Sequence, residues 1–368
     1  MSTRPIELAL IIGTRPEAIK LAPVVLAARA RPQEFRVQVI RTGQHRELVD
    51  QLLHEFDIEA DADLRVMQPN QDLAHVMAES VRGLSTLFAQ RKPDWVVVQG
   101  DTTTTFAGAL AAFYNRVRVG HVEAGLRTGK RHSPFPEEAN RSMTARVTDL
   151  HFAPTAQARA NLLREGIADA DIVVTGNTVI DALWAALARA PAAPPGANGA
   201  RYLLVTAHRR ENHGPALADI CDAILGLLAA DPLLEAWVPM HPSPQVRRTL
   251  TERLGREPRV RLTEPLGYTG FVQALNGAAL VLTDSGGIQE ECAALGKPVL
   301  VLRADTERPE AVDAGVAVLV GTAPRRIIDV ASRLLADRRC YDSMAQPSTA
   351  FGEGAASALI LDALVQAR

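Results

Sequence analysis

The sequence predicts two doubly wound α/β domains. Short, continuously apolar runs recur along the chain between longer segments of helical period, and strands apolar on both faces belong to parallel sheets covered by helices on each side. The 368 residues, 47% of them hydrophobic, exceed one core of ordinary size and suffice for two. Near the middle, ARAPAAPPGANGA (Ala188 to Ala200) holds three prolines and two glycines with little to bury, the composition of a linker. The expected organisation is a first domain over 1–187, a linker over 188–200 and a second domain over 201–368, with the last helix packing back on the first.

The strands of the first domain are expected at Leu8–Ile12, Val37–Arg41, Trp95–Gln99, Val117–Val122 and Leu150–Ala153. Those of the second are expected at Tyr202–Thr206, Ala236–Met240, Val260–Leu262, Leu280–Thr283 and Val299–Leu302. Net charge is −2, from 40 basic and 42 acidic residues; with no basic surplus, no nucleic-acid partner is expected. No run approaches the ~18 apolar residues of a membrane span, and Leu8–Ile12 is too short for a signal peptide. Three scattered cysteines, Cys221, Cys292 and Cys340, fit neither a disulfide framework nor a zinc site, and a reducing cytoplasm suits them best.

Ligands of open parallel sheets bind beyond the carboxyl ends of the strands, and the residues there carry the chemistry. In IIGTRPEAIK, Thr14 and Glu17 have capping-box spacing and Pro16 suits the first helical turn. Capping leaves Arg15 unexplained at the helix mouth, where an anion would lie; Lys20 is a second anion contact or a surface lysine. In VVVQGDTTTT, Asp101 meets a ligand or caps the following helix. VGHVEAGLRTG ends a strand with Glu123. In SPFPEEANR a helix begins near Glu137, which shares a face with Arg141, as a surface ion pair or as part of a site.

In the second half, LLVTAHRREN sets His208, Arg209 and Arg210 after a strand, as an anion site. His241 in PMHPSP reads as structural. TERPE offers Arg308. In TDSGGIQEE, Gly286 and Gly287 let backbone amides approach a ligand, and Ser285 adds a hydroxyl. The partial positive charge of a helix N-terminus holds a diphosphate without a lysine, and Glu290 or Glu291 could accept from two ribose hydroxyls. The expected ligand is a nucleotide diphosphate whose attached group faces the carboxylates of the first domain. No Walker lysine pattern is present, GEGAAS lacks a preceding strand, and the two DAD triplets, at Asp61 and Asp169, read as loops. Nicotinamide and metal are therefore not expected, and no cofactor is.

In order along nearly the whole chain, GTRPEAIK, GDTTTT, GHVEAGLRTG, SPFPEEANR, TGNTVID, DSGGIQEE, GKPVLVLR and TERPEAV resemble the non-hydrolysing UDP-N-acetylglucosamine 2-epimerases. The resemblance implies a glycosyltransferase-B-like fold of two Rossmann-like domains, an active site in the interdomain cleft and a homodimer. It also implies interconversion of UDP-GlcNAc and UDP-ManNAc without cofactor, feeding surface polysaccharide synthesis. Carried over by motif, Arg15, His208, Ser285 and Gly286 would hold the diphosphate, with Gly287 beside them. Glu291 would bind ribose, and Phe271 would pack near uracil. Asp101, Glu123 and Glu137 are the acid–base candidates with Arg141 positioning them, and Lys20 and Arg308 line the same cleft. An activating second site is implied around Gln44, Glu138, Arg210 and His241. The departures are Gly43 for a usual alanine, His132 for a tyrosine, and Ala293-Ala294 for Pro-Ser; none removes a proposed catalytic group. The rival readings are a hydrolysing epimerase, a transferase of the same fold and a non-catalytic sensor.

Overall fold

The computed structural model describes residues 4–44, 46–68, 71–189, 201–207 and 209–368. The chain divides into two units, 1–185 with 352–368, and 186–351. In the first, seven strands form one parallel sheet: β1 (Ile6–Ile12), β2 (Phe35–Arg41), β3 (Ala62–Asp63), β4 (Trp95–Gln99), β5 (Arg118–Val122), β6 (Leu150–Ala153) and β7 (Ile172–Val174), in the order β3-β2-β1-β4-β5-β6-β7. The intervening helices are α1 (Arg15–Arg29), α2 (Arg46–Glu55), α3 (Leu73–Gln90), α4 (Thr103–Tyr114), α5 (Glu137–Arg146), α6 (Ala156–Arg164) and α7 (Thr178–Arg189).

The second unit repeats the plan. Strands β8 (Arg201–Thr206), β9 (Leu234–Pro239), β10 (Val260–Thr263), β11 (Leu280–Thr283), β12 (Val299–Val301) and β13 (Ala317–Leu319) run in the order β10-β9-β8-β11-β12-β13, all parallel. Its helices are α8 (Pro215–Ala230), α9 (Pro244–Leu254), α10 (Tyr268–Gly277), α11 (Gly286–Leu295), α12 (Pro309–Asp313), α13 (Pro324–Ala336) and α14 (Arg338–Met344). The chain then returns to the first unit as α15 (Ala356–Gln366). There Ile360, Leu361 and Leu364 are buried, α15 packs on α1, and Asp181 of α7 accepts the N–H groups of Ala356 and Ser357 at 3.2 and 2.8 Å. The linker expected over 188–200 lies, from residue 190, outside the described residues.

The central strands are continuously buried: all five residues of β4 and all four of β6 and β11. Burial on both faces explains their unbroken apolar runs. Three strands escape a reading by apolar runs, β3, β7 and β13. Each lies at a sheet edge, is two or three residues long and is partly exposed, so it lacks the burial that writes an apolar run into sequence. The first DAD triplet is thus not a plain loop. Asp61 accepts the N–H of Val39 at 2.7 Å and leads into β3. The second forms a 3₁₀ turn. In each sheet the strand order reverses direction once, between β1 and β4 and between β8 and β11. Those reversals are the places where loops diverge and a ligand can enter.

Candidate active site

At the first reversal, three strand-end loops converge. Glu17, 1% exposed, accepts the N–H groups of Gly13 (2.6 Å) and Thr14 (2.7 Å) and the hydroxyls of Thr102 and Thr105. Burial pushes its carboxyl above the usual carboxylate range, and the four donors pull it back. Glu17 therefore does more than cap α1: it clasps the loop after β1 to the loop after β4. The N-cap of α4 is Thr102, not Asp101, which leaves Asp101 outside the helix with Oδ2 on Arg141 Nη2 at 2.6 Å. Asn140 donates to the Asp101 carbonyl at 2.9 Å.

Glu123 follows β5 with φ +64°, a backbone state that costs a non-glycine residue roughly 1–2 kcal/mol. Its carboxylate is buried and accepts from Lys20 and Asn177 (3.0 Å) on Oε1 and from Gln99 on Oε2. Gly100, one residue before Asp101, lies beside it: a Cβ there would stand 3.8 Å from Glu123 Oε2. Glu137 opens α5, and its Oε2 is buried without a hydrogen-bond partner among the described residues. Arg141 turns to Asp101 and to Glu138 (2.9 Å). Glu138 also accepts the N–H groups of Thr128 and Gly129 at 3.0 to 3.1 Å, so its oxygens clamp the loop before α5. Gln44 accepts from Thr104 at 3.0 Å. Arg127, beside Glu123 in sequence, is bidentate to Glu165 and anchors structure. Arg15 opens α1, partly exposed.

In the second unit, α11 begins at Gly286 with Ser285 as its N-cap. The two glycines differ in purpose. A Cβ on Gly286 would fall 2.8 Å from Arg308 Cζ and Nη1, while the space at Gly287 is open. Gly286 thus lets a guanidinium lie against the helix mouth, and Gly287 leaves the backbone bare. Arg308 Nε donates to the buried Glu290 at 2.8 Å. Burial alone would push Glu307 up, but Arg308, Arg209 and Arg303 hold it well below the usual carboxylate range. Asp284 does not cap α11; its Oδ2 accepts from Arg209 N (2.9 Å) and Asn212 Nδ2 (3.0 Å), tying the loop after β8 to the loop after β11. Of the two expected ribose acceptors, Glu290 is committed to Arg308, and Glu291 takes the Tyr268 hydroxyl at 2.8 Å. Phe271 lies one turn further along α10 from Tyr268.

His208 lies outside the described residues, and of Arg210 only the backbone, in the 3₁₀ turn Arg210–Asn212, is described. His241 is exposed and accepts the N–H of Ser243 at 3.2 Å, a local turn contact. Sequence reasoning missed Gln99, Asn177 and Asn140. Gln99 alone left a trace, a polar residue closing an otherwise apolar strand. Among the described residues no helix is long and apolar enough to cross a membrane.

The family profile described as UDP-N-acetylglucosamine 2-epimerase matches residues 27–365. The UDP-N-acetylglucosamine 2-epimerase of Escherichia coli K12 is 47% identical over 368 aligned positions, covering 96% of this chain and 97% of its own. Two solved structures are similar. The UDP-GlcNAc 2-epimerase of Neisseria meningitidis, bound to UDP-GlcNAc, has a TM-score of 0.94 at 43% identity, covering 98% of this chain and 100% of its own. That of Methanocaldococcus jannaschii, in complex with UDP-GlcNAc and UDP, has 0.85 at 32% identity with the same coverage. With the strand-end carboxylates of one unit and the lysine-free helix mouth of the other, these likenesses establish that the chain belongs to the non-hydrolysing UDP-N-acetylglucosamine 2-epimerase family and is an isomerase.

Proposed function

We propose that the protein interconverts UDP-GlcNAc and UDP-ManNAc by eliminating UDP to a 2-acetamidoglucal and adding it back. The observation that carries this reading is the placing of Asp101 and Glu123 at neighbouring strand ends of one sheet, paired with Arg141 and Lys20, with Glu137 opening the helix that carries Arg141. A C2 proton beside an acetal carbon is not acidic. As the C1–O bond to UDP breaks, positive charge at C1 makes that proton labile. A carboxylate accepts it, the C2–H electrons form the C1=C2 bond, and UDP departs with the C1–O pair. Return of a proton to the opposite face of C2, as UDP re-adds at C1, gives the epimer.

In this reading the second unit holds UDP, with Arg15 of the first as a further anion contact. Ser285, the bare amides at Gly286 and Gly287, and His208 take the diphosphate; Glu291 takes ribose and Phe271 flanks uracil. Arg308 frames the helix mouth. The carboxylates of the first unit move the protons, Arg141 holds Asp101 and Lys20 holds Glu123. Elimination and re-addition pass through no oxidised intermediate, so this route requires no hydride acceptor. Gln44, Glu138, Arg210 and His241 are assigned to an activating site by resemblance alone. Three unbridged cysteines suit a reducing cytoplasm, where the product would feed polysaccharide synthesis. A homodimer is supported by Phe113 and Tyr114 at the end of α4 and Met143 on the adjoining α5, exposed by 56, 64 and 42%; a second copy would cover them. Tyr114→Glu should then shift sedimentation towards monomer.

Proton NMR of UDP-GlcNAc with the protein in D2O tests the reaction. The expected product is UDP-ManNAc deuterated at C2. Retention of the original C2 hydrogen in the product would refute elimination, and free ManNAc as main product would favour the hydrolysing reading.

A further inference from the structure

The turn that carries Asp101 is pinned from the neighbouring strand. Gly100 has φ +81°, the left-handed region that favours glycine. Its N–H donates to the Val122 carbonyl at 3.0 Å, and its carbonyl lies 2.8 Å from His121 Nε2. A carbonyl only accepts, so Nε2 carries the proton. We propose that His121 is a positioning residue for Asp101, its Nε2–H fixing the Gly100 carbonyl and so the direction in which the Asp101 carboxylate leaves the sheet. The inference rests on the reading that Asp101 acts on the sugar.

Three observations support it. His121 is 1% exposed and its Nδ1 has no hydrogen-bond partner among the described residues. A buried polar atom left so costs about 1–3 kcal/mol, which a leucine at that position would avoid; retention of the ring needs a reason. The one hydrogen bond the ring makes among the described residues goes to the residue before Asp101. Its surroundings also keep it a fixed donor. Burial, with help from Arg127, pushes its pKa down to about 4 against the opposing pull of the Gly100 hydrogen bond, Glu123 and Asp101. His151, directly across on β6, is pushed down to about 3 by burial, His121 and Arg127. A ring that stays neutral delivers no proton to substrate; it supplies direction.

Among the described residues, the side chains that bond directly to Asp101, Asn140 and Arg141, both come from α5. His121 is the side chain that refers the turn to the sheet itself. Without it, the Gly100 carbonyl loses its side-chain donor, and the turn is referred to β5 by the Gly100 N–H bond to Val122 alone, with Glu17 and Asn140 holding it from other elements. A displacement near 1 Å at a reacting group costs on the order of a hundredfold in rate.

His121→Gln and His121→Asn test this. The glutamine amide reaches the place of Nε2; the asparagine amide stops short of it. His121→Asn is expected to lower kcat by about tenfold or more while KM and calorimetric UDP affinity hold within about twofold. His121→Gln should recover most of that turnover, and thermal unfolding of the two variants should agree. In an Asp101→Asn background, His121→Asn should add little further loss, because both act through one carboxylate. Equal turnover in His121→Asn and His121→Gln, a loss confined to KM, or losses that multiply with Asp101→Asn would overturn the inference. Should His121→Asn not fold, a tenfold or larger loss in folded His121→Gln would overturn it alone. Asp101→Asn in the same assay separates the two readings. Full turnover there would sink the role of Asp101 and this inference with it, whereas an impaired Asp101→Asn beside an unimpaired His121→Asn would sink only the inference.

Discussion

Replacing Lys20 by methionine should destabilise the first unit by about 3 kcal/mol. The side chains of Lys20 and Glu123 are 8 and 6% exposed, so the substitution leaves a buried carboxylate without its cation. Breaking a buried pair from one side costs about 3–5 kcal/mol. Here Glu123 keeps Asn177 at 3.0 Å and the amide of Gln99, and hydrogen bonds to a charged group retain about 1.5–3 kcal/mol each. The loss therefore belongs at the lower end of that range. Removing the second charge as well, in Lys20→Met with Glu123→Gln, should restore at least half of it, since the penalty comes from the stranded charge. The assay is urea unfolding followed by tryptophan fluorescence in a Trp237→Phe background. The chain has three tryptophans, and the remaining two, Trp95 and Trp184, both lie in the first unit. A Lys20→Met loss below about 1 kcal/mol would show that the pair is solvated. A double variant less stable than Lys20→Met would refute the stranded-charge argument.

Asp101→Asn, Glu123→Gln and Glu137→Gln should each cut turnover at least ~10²-fold, the scale of a lost general acid or base, with calorimetric UDP affinity nearly unchanged. Arg15→Ala and Ser285→Ala should weaken UDP binding as well, and unchanged affinity in both would remove them from the cradle. Gly286→Ala must displace the paired Arg308 guanidinium and should cost about 1–3 kcal/mol of stability and weaken UDP. Gly287→Ala has open space and should be tolerated; equal effects of the two would contradict the reading of the helix mouth. Acid should weaken the first unit early. His121 and His151 are held down to about 4 and about 3 from 6.5, so the unfolded chain takes up protons that the folded unit refuses. Stability is full above about pH 6.5 and falls towards pH 4, by up to about 1.4 kcal/mol per pH unit and histidine. Urea midpoints at pH 7.5, 6 and 5 check this: His151→Gln should flatten the fall, and a level wild-type midpoint would count against it.

What the sequence revealed follows what burial and backbone geometry write into it. The ten strands read from apolar runs are the interior strands, most of them buried enough to leave an unbroken apolar run, plus β10, a part-exposed edge strand still marked by Val260 and Leu262; β3, β7 and β13 are shorter edges that solvent reaches. Asp101 and Glu123 were legible because charged residues just beyond apolar strands stand out, and Glu137 because it opens a helix after two prolines, one turn before Arg141. Gln99 and Asn177 were not, although both hold Glu123. An amide is neutral, carries no spacing rule, and acts here across 24 and 54 residues of chain. Glu17 was read as half of a capping box, which it is, yet its hold on Thr102 and Thr105 spans 85 and 88 residues and leaves no local mark. The glycine pair of α11 looked like one device and is two, because only the fold brings Arg308 to Gly286.

The return of α15 to the first unit has a consequence during synthesis. The second unit, 186–351, is a continuous segment interposed in the first, so the ribosome finishes it while the first still lacks its last helix. From the end of α1 at Arg29 to the end of α15 at Gln366, at about 5–20 residues per second, the surface of α1 that α15 covers stays bare for roughly twenty to seventy seconds. A nascent chain paused at the end of that interval, past residue 351, carries one finished unit and one with an apolar face open to water. Stop codons or truncations that remove only the final residues should accordingly injure the first unit, at the far end of the chain, and spare the second.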